Sequence, residues 1–420
     1  MKRFQDERGQ ALVLAALCLS LLLGFLGFAI DVGLLFVEKR KVQEAADIAA
    51  AAGAAELNYG DYAATAQASA AQNGFTNGVN GVTVSVNPSG TTIPSPQNGA
   101  YAGQAGYLEV VVSENVPTFF MRAMKIASMT VSARAVGALG SSQNCIYALA
   151  GSGTTISMSN NAKLTATGCG VVDDSSSSSA ISVVGSASLT AASVGVVGGA
   201  VTNNNGSISP AAISGTVPSS DPLAYLSPPP YTASSCGSDP LTHYGNGGSS
   251  YSVGPGSTYS TTQGGNTVCY TSLTLGVNAD TVTVNPGIYV ITGALTFASG
   301  ATLGGTGVTF YLVGSGSVNI GNNASLTFTA PTTGTYDGIL FFQDRADTNA
   351  ASIQGGASSS LTGILYFPAA ALSIGNGSSS TITSPLIAST ITLVGGSTLQ
   401  DNDYASVNPS TPLTSPRLVE

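Results

Sequence analysis

Four residues near the end of the chain, Asp337, Asp344, Arg345 and Asp347 in "TYDGILFFQDRAD", bring carboxylates and a guanidinium close together in sequence. Carboxylates flanking one sugar bond are what glycoside hydrolysis needs, and lyases need a base beside cations or calcium. The structural alternative is a charged turn with an Asp-Arg pair, and adjacency in sequence does not make two carboxylates converge on one bond. The expectation is therefore a turn, with a carbohydrate site as the rival reading. "VVDDSSSSSA" places Asp173 and Asp174 ahead of alternating serines. Such a carboxylate-hydroxyl series holds magnesium at a strand end before a helix, and no strand-helix alternation surrounds it here. His243 is the single histidine and sits in a Gly/Pro-rich stretch without a nucleophile-elbow motif. The sequence thus predicts no enzyme: no catalytic residue, no metal and no cofactor.

Five cysteines are present. Cys18 falls in an apolar run, while Cys145, Cys169, Cys236 and Cys269 lie in the body and form no C-x-x-C pair, which leaves a zinc site without support. An even number of body cysteines fits disulfides in an oxidising compartment, hence a body outside the cytoplasm and an N-terminus inside. Spacing favours Cys145 with Cys169, about one structural repeat apart, and Cys236 with Cys269.

The elements that position these groups begin with "RGQALVLAALCLSLLLGFLGFAIDVGLLFVEKRKVQEAADIAAAAGA". Residues 11–30 carry no charge, and about 20 such residues cross a bilayer's hydrocarbon core. A cleaved signal peptide fits less well, because the run exceeds an h-region of about 7–15 residues and no small-x-small site closes it. The sequence predicts a cytoplasmic N-terminus at 1–10, a membrane helix at 11–37 and a helical stalk at 38–72. Asp31 is expected at the outer interface of the span with "VGLLFV" among headgroups; an intramembrane carboxylate facing a basic residue of another component is the alternative. The alanine-rich stalk is read as solvated, or else docked on this chain's own sheet or on a partner.

Charged residues are 8% of the chain and the net charge is −9, with few Lys and Arg after residue 41. Clustered cations are what phosphate binding requires, so a nucleic-acid partner is excluded.

Alternating patterns in "GVTVSV", "YLEVVVSENV" and "MTVSARAVGAL" predict strands buried on one face and a small α+β module at 73–140. From Cys145 onward, "NNAKLTATG", "GSASLTAAS", "SGATLGGTG", "NNASLTFTA" and "GSSSTITSP" couple a Gly/Asn turn to a short strand at intervals of roughly 20–35 residues. Repeats of this kind cannot bury their own apolar face and must stack. The fold class expected is mainly β: a transmembrane α-helix, its stalk, the α+β module, then a right-handed parallel β-helix or β-solenoid over 145–405, with a β-sandwich as the alternative. A Pro/Gly-rich loop excursion is expected at about 219–262, emerging between coils, and a C-terminal tail at 406–420.

"RGQALV", "AIDVG" and "VQEAADIAAAAGA", in that order, resemble the N-terminal segment of Flp pilus-assembly proteins of the TadE/TadG-like family. The residues carrying the resemblance are Gly9, Gln10, Asp31, Gly33, Ala46 and Asp47. "VPTFFMRAM" and later stretches such as "LTGILYFPAAALSIGNG" look like parts of the bodies of such proteins. The resemblance implies a bacterial inner-membrane protein with other Tad/Flp pilus-assembly proteins as partners. Prepilin-like members carry glutamate at the fifth residue after the cleavage-site glycine; Leu14 stands there, which points to stable anchoring over processing at Gly9. The function expected is non-enzymatic: a membrane-anchored structural, assembly or adhesin component presenting a β-solenoid. The alternative is a membrane-tethered carbohydrate-active or carbohydrate-binding protein, with a surface carbohydrate as its partner.

Overall fold

The computed structural model describes residues 8–57, 61–87, 96–104, 106–141, 144–238, 248–258, 260, 262–353, 357–375, 379–383, 385–401 and 414–420. His243 lies outside them. The chain divides into two compact units, one formed by 1–140 with 415–420 and the other by 141–414.

In the first unit a single helix, α1, runs from Arg8 to Ala55 without a break. Its N-terminal part is apolar all round, and leucines such as Leu17, Leu22 and Leu26 are exposed. Its C-terminal part is buried along one stripe, Val42, Ala45, Ala46, Ala49 and Ala50, at the i, i+3, i+4, i+7, i+8 spacing of a core-facing helix. The stalk expected to be solvated is thus docked on the chain's own sheet, because alanine side chains let a helix approach a sheet closely. Helix α2 (Tyr62–Gln72) adds Tyr62, Ala66 and Ala70 to the same core. At Gly53 a Cβ would lie 2.4 Å from Leu108 and 3.0 Å from Ala66, so this close approach needs glycine.

The sheet consists of β1 (Thr83–Asn87), β2 (Tyr107–Pro117) and β3 (Ser128–Ser141), joined by antiparallel pairing with Val84 opposite Val112 and Val110 opposite Ala135. Leu108, Val110 and Val112 alternate inward, the period-two burial that their sequence announced. The stretch expected to be a C-terminal tail instead contributes Thr414–Leu418 as a strand beside β3, with Val136 N donating to Glu420 O at 2.7 Å. An extra strand satisfies the edge amides of β3, a tertiary demand that the local sequence of the tail does not reveal.

In the second unit the strands form three parallel ladders among the described residues, except that Thr262–Gly264 pairs antiparallel with Thr267–Tyr270. The first carries Val282, Leu303 and Leu326 in register on neighbouring strands, and continues through Leu399, Leu164 and Leu189. The second stacks Val268, Tyr289, Phe310, Phe341, Leu365, Leu386, Ile146, Val171 and Val194. The third stacks Leu275, Phe297, Ile320, Ile353, Ile374, Leu393, Met158 and Val183. These side chains make one continuous core. Facing away from it on the first ladder are Thr283, Gly304, Thr327 and Ser360, and further on Thr165 and Thr190. Small hydroxylated residues tolerate stacking at the interstrand spacing of about 4.8 Å, where repeated charges would repel.

Ladder order departs from chain order. Strand Asn144–Ala148, where the unit begins, pairs with Leu386–Leu393 near its end. Ile213–Ser214 and Ser250–Val253, consecutive in the chain apart from the connecting stretch, stand at opposite ends of their ladders. The stack therefore reads from 250 to 401 and then from 144 to 214. The excursion expected to emerge between successive coils is instead a strap linking the two ends. It buries Leu223 and Leu226 against Tyr311, Phe342, Tyr366 and Ile387, the outward side of the second ladder. That ladder is apolar on both faces, and "GILFF" and "GILYF" accordingly read as unbroken apolar runs.

Phe310 is the hub of the core aromatics, with ring centroids 5.1 Å from Phe341, 5.6 Å from Phe328 and 5.7 Å from Phe297. Phe310→Ala is expected to cost about 3–5 kcal/mol of unfolding free energy, since the neighbouring hydrogen-bonded strands cannot close the cavity. Denaturant unfolding monitored by circular dichroism measures it.

Candidate functional site

The residues that carry chemistry in the first unit gather where α1 leaves its exposed apolar section. Asp31 is 2% exposed. Its Oδ1 accepts from Phe119 N at 3.0 Å, and its Oδ2 accepts from Phe120 N at 2.9 Å and from Met121 N at 2.6 Å. These are the amides that open a 3-10 turn, Met121–Met124, and a carboxylate at such an end satisfies orphan donors and complements the aligned peptide dipoles. The partner of Asp31 is thus the backbone of its own chain, 88 to 90 residues on. No local signal linked "AIDVG" to "PTFFMRAM"; a buried acid beside an apolar stretch whose amides need acceptors was the available hint.

The remaining motif residues have separate roles. Gly9 and Gln10 lie in the first turns of α1. At Gly33 a Cβ would meet nothing within 4 Å, so packing does not explain that glycine. At Gly27, one turn before Asp31, a Cβ would lie 2.7 Å from the Phe120 ring. Ala46 is fully buried against the sheet. Asp47 accepts from Gln43 Nε2 at 2.7 Å, and the same amide reaches Arg134 O at 3.1 Å, which fastens α1 to β3.

The charged group of the second unit is dispersed. Asp344 accepts from Tyr311 OH at 2.9 Å and from Ala346 N at 2.9 Å. Arg345 does not pair with its sequence neighbours: it meets Asp221 at 3.3 Å, donates to Leu226 O at 3.2 Å and to Leu223 O, and lies over the rings of Phe342 and Tyr366. Asp347 accepts from Asn349 N at 3.0 Å. Asp337 belongs to an earlier turn closed by Asp337 N on Gly334 O. The expected Asp-Arg turn is thus a clasp for the strap, whose Asp221 also accepts from Tyr366 OH at 2.5 Å.

Asp173 and Asp174 are buried too. Asp173 accepts from Thr155 Oγ1 at 2.5 Å and Ser175 N at 2.9 Å; Asp174 accepts from Ser219 N at 2.7 Å. Burial pushes both carboxyls above the usual carboxylate range, against the lowering effect of these hydrogen bonds. The serines that follow bond one another and nearby backbone carbonyls, as in Ser175 Oγ on Gly153 O at 2.6 Å. The disulfides join Cys145 to Cys169, on laterally paired strands, and Cys236 of the strap to Cys269, the two pairs that spacing favoured.

Residues 9–56 match the family described as putative Flp pilus-assembly TadE/G-like. The match coincides with α1 and includes none of the ladder-built unit. No curated protein and no solved structure matches the chain.

Asp31→Ala is expected to leave its three donors short of an acceptor, at about 1–3 kcal/mol for each one that stays buried. Hydrogen exchange at Phe119, Phe120 and Met121 should accelerate while the α1 amides near Ala46 stay protected. A separate expectation concerns acid. A raised folded-state pKa means that the folded form holds its proton to higher pH than the unfolded form, so stability falls as pH rises above 3.8 through the folded value. Asp173→Asn removes part of that slope, and urea midpoints measured across the acid range for both proteins show it.

Proposed function

We propose that this chain is a non-enzymatic, membrane-anchored component of a Tad/Flp-type pilus system, with its N-terminus cytoplasmic and both folded units outside the cytoplasm. The observation carrying this reading is the family match at residues 9–56 on a helix whose first half is apolar and exposed and whose second half is built into a folded unit. A helix continuous from span to sheet transmits position rigidly, as a tether in an assembly platform must. Two disulfides in the second unit agree with an oxidising compartment. The three parallel ladders are read as stacked coils of a β-helix, because the two sheets of a sandwich are antiparallel throughout and among the described residues of this unit only Thr262–Gly264 pairs that way. Such a stack supplies a stiff body with hydroxyl-rich sides, suited to a structural or adhesive role.

In a host carrying a Tad locus, deleting the gene should abolish or shorten pili. The full chain should restore them, whereas a version whose residues 11–30 are replaced by a cleavable signal peptide should not. Alkaline extraction should leave the full chain in the membrane pellet with the mass of its N-terminus unchanged by prepilin peptidase. Normal pili in the deletion strain would sink the proposal.

A further inference from the structure

Next to Asp31 the first unit exposes an apolar surface that its fold does not use. Phe119 is 67% exposed, Phe120 52%, Met124 61%, Ile126 41% and Met129 42%. A soluble domain ordinarily keeps so many large apolar side chains apart, and a contiguous group marks a contact surface. What covers it is indicated by its position on α1. The Phe120 ring packs on Gly27, inside the uncharged run of residues 11–30, and Asp31 holds the loop's amides one turn later. At 1.5 Å per residue these attachment points are about 6 Å apart along the helix axis. A loop fixed against Gly27 shares the depth of Gly27. The surface also continues along the helix, where Leu34, Phe36 and Val37 are 43%, 69% and 52% exposed, and past an open groove lined by Leu35, Phe36, Lys39 and Met129.

We infer that residues 119–129 are a second membrane-contacting element, a loop seated in the bilayer interface beside the end of the membrane helix and held there by Asp31. This inference rests on the anchor reading above. Phe119, Met124 and Ile126 enter the acyl boundary, while the exposed Arg122 and Lys125 lie at headgroup level, where cations meet lipid phosphates. Seating the loop fixes the tilt of the sheet-bearing unit on the membrane, which one helix alone leaves free to rotate. It also accounts for the acid in the apolar segment: three backbone N–H groups carried into a water-poor layer need an acceptor there, and Asp31 supplies one. The overall net charge of −9 does not oppose this, because contact depends on the local charge of the loop.

The chain contains no tryptophan, so a single substitution provides an unambiguous optical probe. Four full-length variants, Phe119→Trp, Met124→Trp, Leu22→Trp and Val217→Trp, are reconstituted into vesicles of phosphatidylcholine and phosphatidylglycerol bearing bromines shallow or deep on the acyl chains. Leu22 is 66% exposed in the apolar run and reports the anchor; Val217 is 87% exposed in the strap and reports water. The inference expects blue-shifted emission from F119W and M124W, quenched more by shallow than by deep bromines, with V217W red-shifted and quenched only by aqueous iodide. Deep quenching of L22W alongside iodide-accessible, bromine-insensitive F119W and M124W overturns the loop inference and leaves the anchor standing. Loop probes protected from both quenchers overturn it as well, in favour of coverage by protein. An L22W that no lipid bromine quenches removes the anchor reading, and the loop inference with it.

Discussion

A backbone N–H or C=O withdrawn from water has to find a partner, and that demand organises both units. Across the apolar section of α1 the helix meets it internally. Where a second segment comes down beside that section, the amides leading into its 3-10 turn have no helical acceptor, and the Asp31 carboxylate accepts from three of them, Phe119, Phe120 and Met121. In the second unit the same demand is met laterally, each strand bonding the strand above and below it. A ladder of this sort has two ends, and the protein joins the stretches at those ends with one strap while the unit's own first and last strands meet in the middle.

The placement of side chains follows from register. Because equivalent residues fall directly over one another, inward positions are apolar on almost every strand, buried Ser359 beside Leu326 being an exception, and outward positions on the first ladder are mostly small and uncharged, with Lys163 and Gln400 as exceptions. This explains a body rich in threonine, serine and glycine with so few charges. Several of the charges that are present work as fasteners. Asp221 and Arg345 pin the strap across aromatic rings, Asp174 holds Ser219, and Asp47 accepts the amide of Gln43, which also reaches β3. Each is a polar group whose desolvation is offset by directed hydrogen bonds, and none is left to the solvent-screened pairing that a charged surface turn suggests. The Cys236–Cys269 bond fastens one end of the same strap.

Local pattern determined a good deal. The length and neutrality of residues 11–30 fixed an apolar helix, alternation fixed β1, β2 and β3, and the recurring turn-plus-strand motif fixed stacked short strands, since periodicity is a property of neighbouring residues. Cysteine spacing favoured Cys145 with Cys169 because about one repeat separates neighbouring places on adjacent strands, whereas Cys236 meets Cys269 from the strap. What only the tertiary structure decided were relations between distant segments: the order of the ladders, the course of the strap over the second ladder's outer face, the strand at 414–418, the pairing of Arg345 with Asp221 and the bond from Asp31 to residues 119–121. Parallel strands of like composition can stack in more than one order, and a carboxylate can accept from any donor that reaches it. Those choices depend on which surfaces are left uncovered once the local elements have formed, and a sequence read residue by residue does not contain them.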